Sequence, residues 1–132
     1  MPTILIADDN DDLRRMLGQL LRSSGYEVAE AADGREAVDE FARAPPDLLI
    51  KDLGMPGMDG FSAVAEIRRQ DPAARTPILI LSAYDRLEFR IQAVSAGCAG
   101  FITKPMDPAV LLDTIRLLLG RDEVNVVTPP PG

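Results

Sequence analysis

Asp8-Asp9, Asp52, Ser82-Ala83 and Lys104-Pro105 each close an apolar run of this 132-residue chain. Three carboxylates, a hydroxyl and an ammonium are the parts needed to hold a divalent cation beside a phosphoryl group. Oxygen ligands suit Mg²⁺, a lysine ammonium is a compact point charge for phosphate, and a serine hydroxyl donates a hydrogen bond. Such a set can stabilise in-line phosphoryl transfer. Taken singly, each piece has a plainer use. Asp8-Asp9-Asn10 can cap a helix, Asp52 can lead into a Met55-Pro56-Gly57 turn, Ser82 can cap or turn, and Lys104 can be a solvated lysine. In one crevice those uses fail together, because three carboxylates repel and their pKa values rise unless a cation sits among them. Asp11-Asp12, by contrast, reads as a solvated helix start.

Whether the pieces meet depends on the elements that carry them. Five apolar segments predict strands at Thr3 to Ala7, Tyr26 to Glu30, Asp47 to Asp52, Pro77 to Leu81 and Gly100 to Thr103. The first, third and fourth are continuously apolar, as strands buried on both faces should be, while the second and fifth are mixed like edges. Between them lie amphipathic helices. Leu13, Met16, Leu17, Leu20 and Leu21 form an i, i+3, i+4 stripe that Gly25 can terminate. Asp33 with Glu36 reads as a capping box before Ala37, Val38 and Phe41. Phe61, Val64 and Ile67 mark a third helix. Asp85 with Glu88 reads as a second capping box before an apolar face of Leu87, Ile91 and Val94, with Gly97 after it. Asp107-Pro108 caps a last helix carrying Leu111, Leu112, Ile115, Leu118 and Leu119, closed by Gly120.

Strict alternation with short connections predicts an α/β fold, a flavodoxin-like (βα)5 doubly wound parallel sheet of strand order 2-1-3-4-5. Strand C-terminal ends then gather at one edge, where ligands bind. Residues 1–120 are expected to form this single domain, and 121–132, ending Thr-Pro-Pro-Pro-Gly, a tail or the start of a linker.

Composition narrows the field. There is no histidine, which removes histidine triads, the usual zinc sites and any internal phosphohistidine. The one cysteine, Cys98, excludes an internal disulfide. A formal net charge of -7 argues against direct nucleic-acid binding, since phosphates would repel it. No apolar run is long enough to span a bilayer, so a cytoplasmic protein without membrane contact is expected.

The motifs Ile4-Leu5-Ile6-Ala7-Asp8-Asp9, Asp52-Leu53-Gly54-Met55-Pro56-Gly57-Met58-Asp59-Gly60, Ser82-Ala83 and Gly100-Phe101-Ile102-Thr103-Lys104-Pro105 stand in one order. In that order the chain resembles the receiver domain of bacterial two-component response regulators, from about Thr3 to Gly120. The resemblance implies a phosphorelay switch with no separate substrate, and so not an enzyme in the usual sense. It implies Asp52 as phosphoacceptor from a sensor histidine kinase or histidine phosphotransfer protein. It also implies Mg²⁺ on Asp9, Asp52 and the Gly54 carbonyl, with Asp8 acting through water. Lys104 would pair with a phosphoryl oxygen, and its peptide with Pro105 would be cis. Ser82 would swing toward the phosphate while Phe101 turns into the space it leaves, and Ala83 would keep the approach open. Phe101 lacks the hydroxyl of the tyrosine often found there, so an inward rotamer is expected even without phosphate. A protein target would dock on the fourth helix, fifth strand and fifth helix, and a homodimer on activation is a further implication.

Some positions depart from the family pattern. Lys51 precedes the acceptor where an apolar or small residue is common. It should point to the face opposite Asp52, with its ammonium at the sheet's end reaching solvent or an acid. Gly54 and Tyr84 occupy the sites that tune dephosphorylation, glycine shielding nothing and tyrosine able to cover the entrance. Two other functions compete. A haloacid-dehalogenase-like phosphohydrolase would need an aspartate where Gly54 stands. A receiver-like scaffold that ignores phosphate would lack one of the key residues, and none is missing. The chain is expected as a stand-alone receiver or as a module of a longer regulator or hybrid kinase.

Overall fold

Runs of aliphatic side chains with no polar break leave a strand only one comfortable place, between two layers of helices. The computed structural model describes residues 1–53, 58–73, 75–83 and 86–120, and only the backbone of 58–60. The strands are β1 (Thr3–Ala7), β2 (Glu27–Ala31), β3 (Leu48–Leu53), β4 (Ile78–Ser82) and β5 (Gly100–Thr103). The helices are α1 (Asp11–Ser23), α2 (Gly34–Arg43), α3 (Met58–Gln70), α4 (Leu87–Ser95) and α5 (Pro108–Leu119). All strand pairs are parallel, and the sheet order is β2-β1-β3-β4-β5. The mixed strands β2 and β5 are the edges. β2, β3 and β4 each begin and end one residue later than the apolar pattern predicts, gaining Ala31, Leu53 and Ser82 at their ends. The expected Met55-Pro56-Gly57 turn and the tail 121–132 lie outside the described residues.

Alternation along the strands splits the interior in two. Ile4, Ile6, Leu48, Ile50, Leu79 and Leu81 face α1 and α5, packing with Leu17, Leu21, Leu111 and Ile115. Leu5, Leu49, Leu53, Ile78 and Ile80 face the other layer, packing with Val38 and Phe41 of α2, Val64 and Ile67 of α3 and Ala93 of α4. Each of these aliphatic side chains contributes about 1.5–3 kcal/mol relative to exposure. The same alternation sends Asp52 to the side of Ile50 and Lys51 to the side of Leu49.

Helix ends follow their local chemistry. Asn10 caps α1 by accepting the Leu13 N–H at 3.1 Å. Asp33 accepts from Glu36 at 2.8 Å, and the Glu36 carboxylate reaches back to the Ala32 N–H at 3.3 Å. Asp107 accepts from Ala109, with Pro108 in the first turn. Gly25 and Gly97 follow α1 and α4 at φ 96° and 86°, and the residues after them close the Tyr26 to Leu21 and Cys98 to Ala93 bonds. That is the helix-ending arrangement which favours glycine.

Two apolar expectations fail. Met16 is 56% exposed, at the outer border of the α1 stripe. More consequentially, Leu87, Ile91 and Val94 are 71%, 55% and 50% exposed. α4 carries a second i, i+4, i+7 stripe of Phe89, Ala93 and Ala96, displaced by two residues or about 200°. That stripe packs on the sheet, with Ala93 fully buried. The small residue allows close approach, and the bulkier aliphatics turn outward. Arg86 occupies the cap position of α4 with no side-chain cap bond, and Asp85 lies outside the described residues.

Candidate functional site

Asp8 follows β1 directly and is 2% exposed. Its backbone N–H still bonds to the Ala31 carbonyl at 3.0 Å, extending the β1–β2 ladder and fixing where the side chain starts. One carboxylate oxygen, Oδ1, accepts from the Asn10 N–H at 2.9 Å. The other, Oδ2, is buried without a hydrogen-bond partner. Asp52, one residue before the end of β3, is 5% exposed, and its Oδ1 is likewise buried and unpartnered. The two carboxyls face each other. Burial, and then the neighbouring Asp52 carboxylate, push Asp8 up from 3.8 to about 6, against the pull of the Asn10 N–H. Asp9 stands exposed beside them. Among the described residues, no three acidic, Cys or His side chains gather tightly enough to hold a metal ion.

Lys104 follows β5, and its Nζ donates to Asp52 Oδ2 at 2.5 Å. Its backbone N–H donates to the Ser82 carbonyl at 2.7 Å, so one residue ties the end of β4 to the acceptor on β3. The Lys104-Pro105 peptide is cis. Ser82 ends β4, is 1% exposed, and lies in register with Leu53 on β3 and Thr103 on β5. Ala83 comes next and is exposed. Gly54 and Tyr84 lie outside the described residues.

Phe101 is 2% exposed and packs into the interior under α4. The Arg90 guanidinium lies 4.7 Å from its ring centroid, and Arg90 also donates to the Thr103 hydroxyl at 3.2 Å. The sequence does not single out Arg90. Phe101 and Thr103 both lie on β5, and the placement of α4 against β5 brings Arg90 to them. Lys51 is the clear correction. It does take the face opposite Asp52, but it is buried at 8% exposure and forms no ion pair with a carboxylate among the described residues. Its Nζ donates to the backbone carbonyl of Asp52 at 3.0 Å. Ala7 and Ile80 flank it in register.

The donor set fits a hard divalent cation. Two buried carboxylate oxygens, Asp8 Oδ2 and Asp52 Oδ1, have no other partner, and each costs several kcal/mol if left so. Oxygen-only ligands from one or two carboxylates match Mg²⁺. Among the described residues, no helix is long and apolar enough to cross a membrane.

Comparison with known proteins agrees with this geometry. Residues 4–116 match the family model of the response regulator receiver domain. The chemotaxis protein CheY of Thermotoga maritima is 39% identical over 114 residues, covering 86% of this chain and 93% of that protein. The regulatory protein AtoC of Escherichia coli is 37% identical over 118 residues, 89% of this chain but 24% of AtoC. Among solved structures, chemotaxis protein CheY4 of Vibrio cholerae superposes with a TM-score of 0.82 at 37% identity, covering 89% of this chain and 98% of that one. A CheY-like receiver domain protein of Methanospirillum hungatei gives 0.83 at 28% identity, covering 91% and 94%. With five parallel strands in the order 2-1-3-4-5 and a family match across nearly the whole fold, this chain belongs to the receiver domains of two-component response regulators.

Proposed function

We propose that the chain is a phosphorylation-controlled switch in which Asp52 accepts the phosphoryl group. The reading rests on one observation above the others: a buried carboxylate at a strand end, held by Lys104 on one oxygen and left unpartnered on the other. A carboxylate oxygen of Asp52 attacks the phosphorus of a phosphohistidine on a sensor kinase or phosphotransfer protein. The O–P bond forms, the N–P bond breaks, and the imidazole leaves with the electron pair. Lys104 neutralises charge on the transferring group and holds the acceptor in line, and the Ser82 hydroxyl donates to a phosphoryl oxygen. Asp8, Asp9, Asp52 and the Gly54 carbonyl would hold Mg²⁺, which supplies charge neutralisation at the phosphoryl oxygens. Two-component signalling of this kind runs in the cytoplasm.

The output follows from what phosphate takes away from the resting contacts. Ser82 is drawn toward the new anion, and Phe101, already inward and covered by Arg90, responds to the space behind it. Only contacts that differ between the two states can shift their balance. The protein target, or a second copy on activation, meets α4, β5 and α5, where Leu87, Ile91, Val94, Val110 and Leu117 are exposed.

Incubation with Mg²⁺ and acetyl phosphate or phosphoramidate, followed by intact mass measurement, tests the reading. One phosphate should add, and the adduct should be absent with EDTA and in Asp52→Asn. An adduct of equal yield in Asp52→Asn refutes Asp52 as acceptor. Lys104→Ala should still form adduct but fail to alter partner binding; normal signalling from it contradicts the role given to the ammonium.

A further inference from the structure

Lys51 is the one fully inserted lysine among the described residues, and it has no carboxylate partner. An ammonium taken out of water is costly unless something offsets the loss. Here one hydrogen bond, to the Asp52 carbonyl at 3.0 Å, does so directly. The rest is electrostatic. Lys51 stands one residue before Asp52 and in register with Ala7, which leads into Asp8 and Asp9, so its ammonium lies close behind the acidic residues of the site. The ammonium therefore sits behind the acceptor strand, on the α2 and α3 side, facing the same charges that Lys104 faces from the front.

We propose that Lys51 is a built-in counter-charge behind the acidic well, a positioning residue that offsets the carboxylates of Asp8, Asp9 and Asp52 and weakens Mg²⁺ binding. The proposal rests on the Mg²⁺ site described under Proposed function and deepens it. With Lys104 alone, the three carboxylates would leave two formal negative charges to attract a cation; with Lys51 as well they leave one. The aliphatic stem fills space between Ala7 and Ile80 that a small or apolar residue would fill equally well. What such a residue could not supply is the charge. The hydrogen bond to the Asp52 carbonyl also fixes the peptide that leads from the acceptor toward Leu53 and Gly54, so charge and geometry act at the same point.

The test is direct Mg²⁺ titration of the full chain, by calorimetry and by amide NMR shifts, for the parent, Lys51→Met and Lys51→Arg. Lys51→Met keeps the volume and removes the charge, and should bind Mg²⁺ about ten-fold tighter, the effect of one unit charge at short range in a partly solvated site. Lys51→Arg keeps the charge and should stay within about two-fold of the parent. If Lys51→Met gives no folded spectrum, Lys51→Thr is read in the same way. Equal affinity in the charge-free variant and the parent overturns the role of Lys51 while leaving the metal site standing. Tighter binding in Lys51→Arg as well overturns it too, since packing rather than charge would then be responsible. Absence of Mg²⁺ binding in the parent and both variants refutes the metal site itself, and the inference with it.

Discussion

Asp8→Asn isolates the strain that the acidic well builds into the metal-free protein. In the folded chain Asp8 holds its proton to about pH 6, because burial and the Asp52 carboxylate penalise the charged form; unfolded, it releases it near 3.8. The native state therefore binds more protons than the unfolded state between those values. Its stability is fully present below about pH 4, falls as pH rises through 6, and stays lowered above that. The gap corresponds to about 2–3 kcal/mol, the lower figure allowing for solvent that reaches the well beside Lys104. Asparagine keeps an Oδ1 to accept the Asn10 N–H at the same position, and it carries no charge. Urea unfolding, followed by circular dichroism from pH 4 to 8 in EDTA, should thus give nearly equal stabilities at pH 4. At pH 7.5 the variant should be about 2–3 kcal/mol more stable. Adding Mg²⁺ should raise the parent more than the variant, through binding to the native state alone. A variant less stable than the parent at pH 7.5 in EDTA, or a difference that does not change with pH, refutes the electrostatic account.

Arg90→Ala removes the cation over Phe101 and the bond to Thr103, and should lower stability by about 1 kcal/mol. Sharp, unshifted Phe101 ring resonances in that variant would show that Arg90 does not hold the ring. Gly97→Ala places a Cβ 3.2 Å from the Nε of Arg68, on backbone at φ 86°. Arg68 cannot yield easily, since it donates to the Thr76 and Gly97 carbonyls at 2.8 and 2.6 Å. The loss should exceed the roughly 1–2 kcal/mol of left-handed backbone alone. Gly25→Ala supplies the comparison, with φ 96° and nothing within 4 Å of its added Cβ. A smaller loss at Gly97 than at Gly25, read from urea midpoints, would contradict the crowding.

Much of the architecture is legible because the strongest signals are also the physically dominant ones. Uninterrupted runs such as Ile78 to Leu81 admit burial on both faces, and Asp33, Asp107 and Gly25 mark ends by chemistry that acts within a few residues. Strand limits slip by one because a ladder can continue into Ala31, Leu53 or Ser82 once a neighbour offers a bond. α4 is misread because it carries two stripes of equal period, and the larger side chains outweigh Ala93 in any count of apolar residues. Helix period alone does not choose between them; close approach to the sheet does. The same holds at the site. Asp52, Lys104 and Ser82 are marked by their place at strand ends. The resting places of Lys51 and Arg90 depend on neighbours from other strands.

The outward aliphatic row on α4 has a price in colloidal behaviour. At neutral pH, like-signed molecules with a formal net charge of -7 keep one another at a distance despite their sticky side. As acid discharges the carboxylates, that standoff fades while Leu87, Ile91 and Val94 remain as oily as before. Crowding of one copy onto another should then begin at that row, well before the sheet itself gives way.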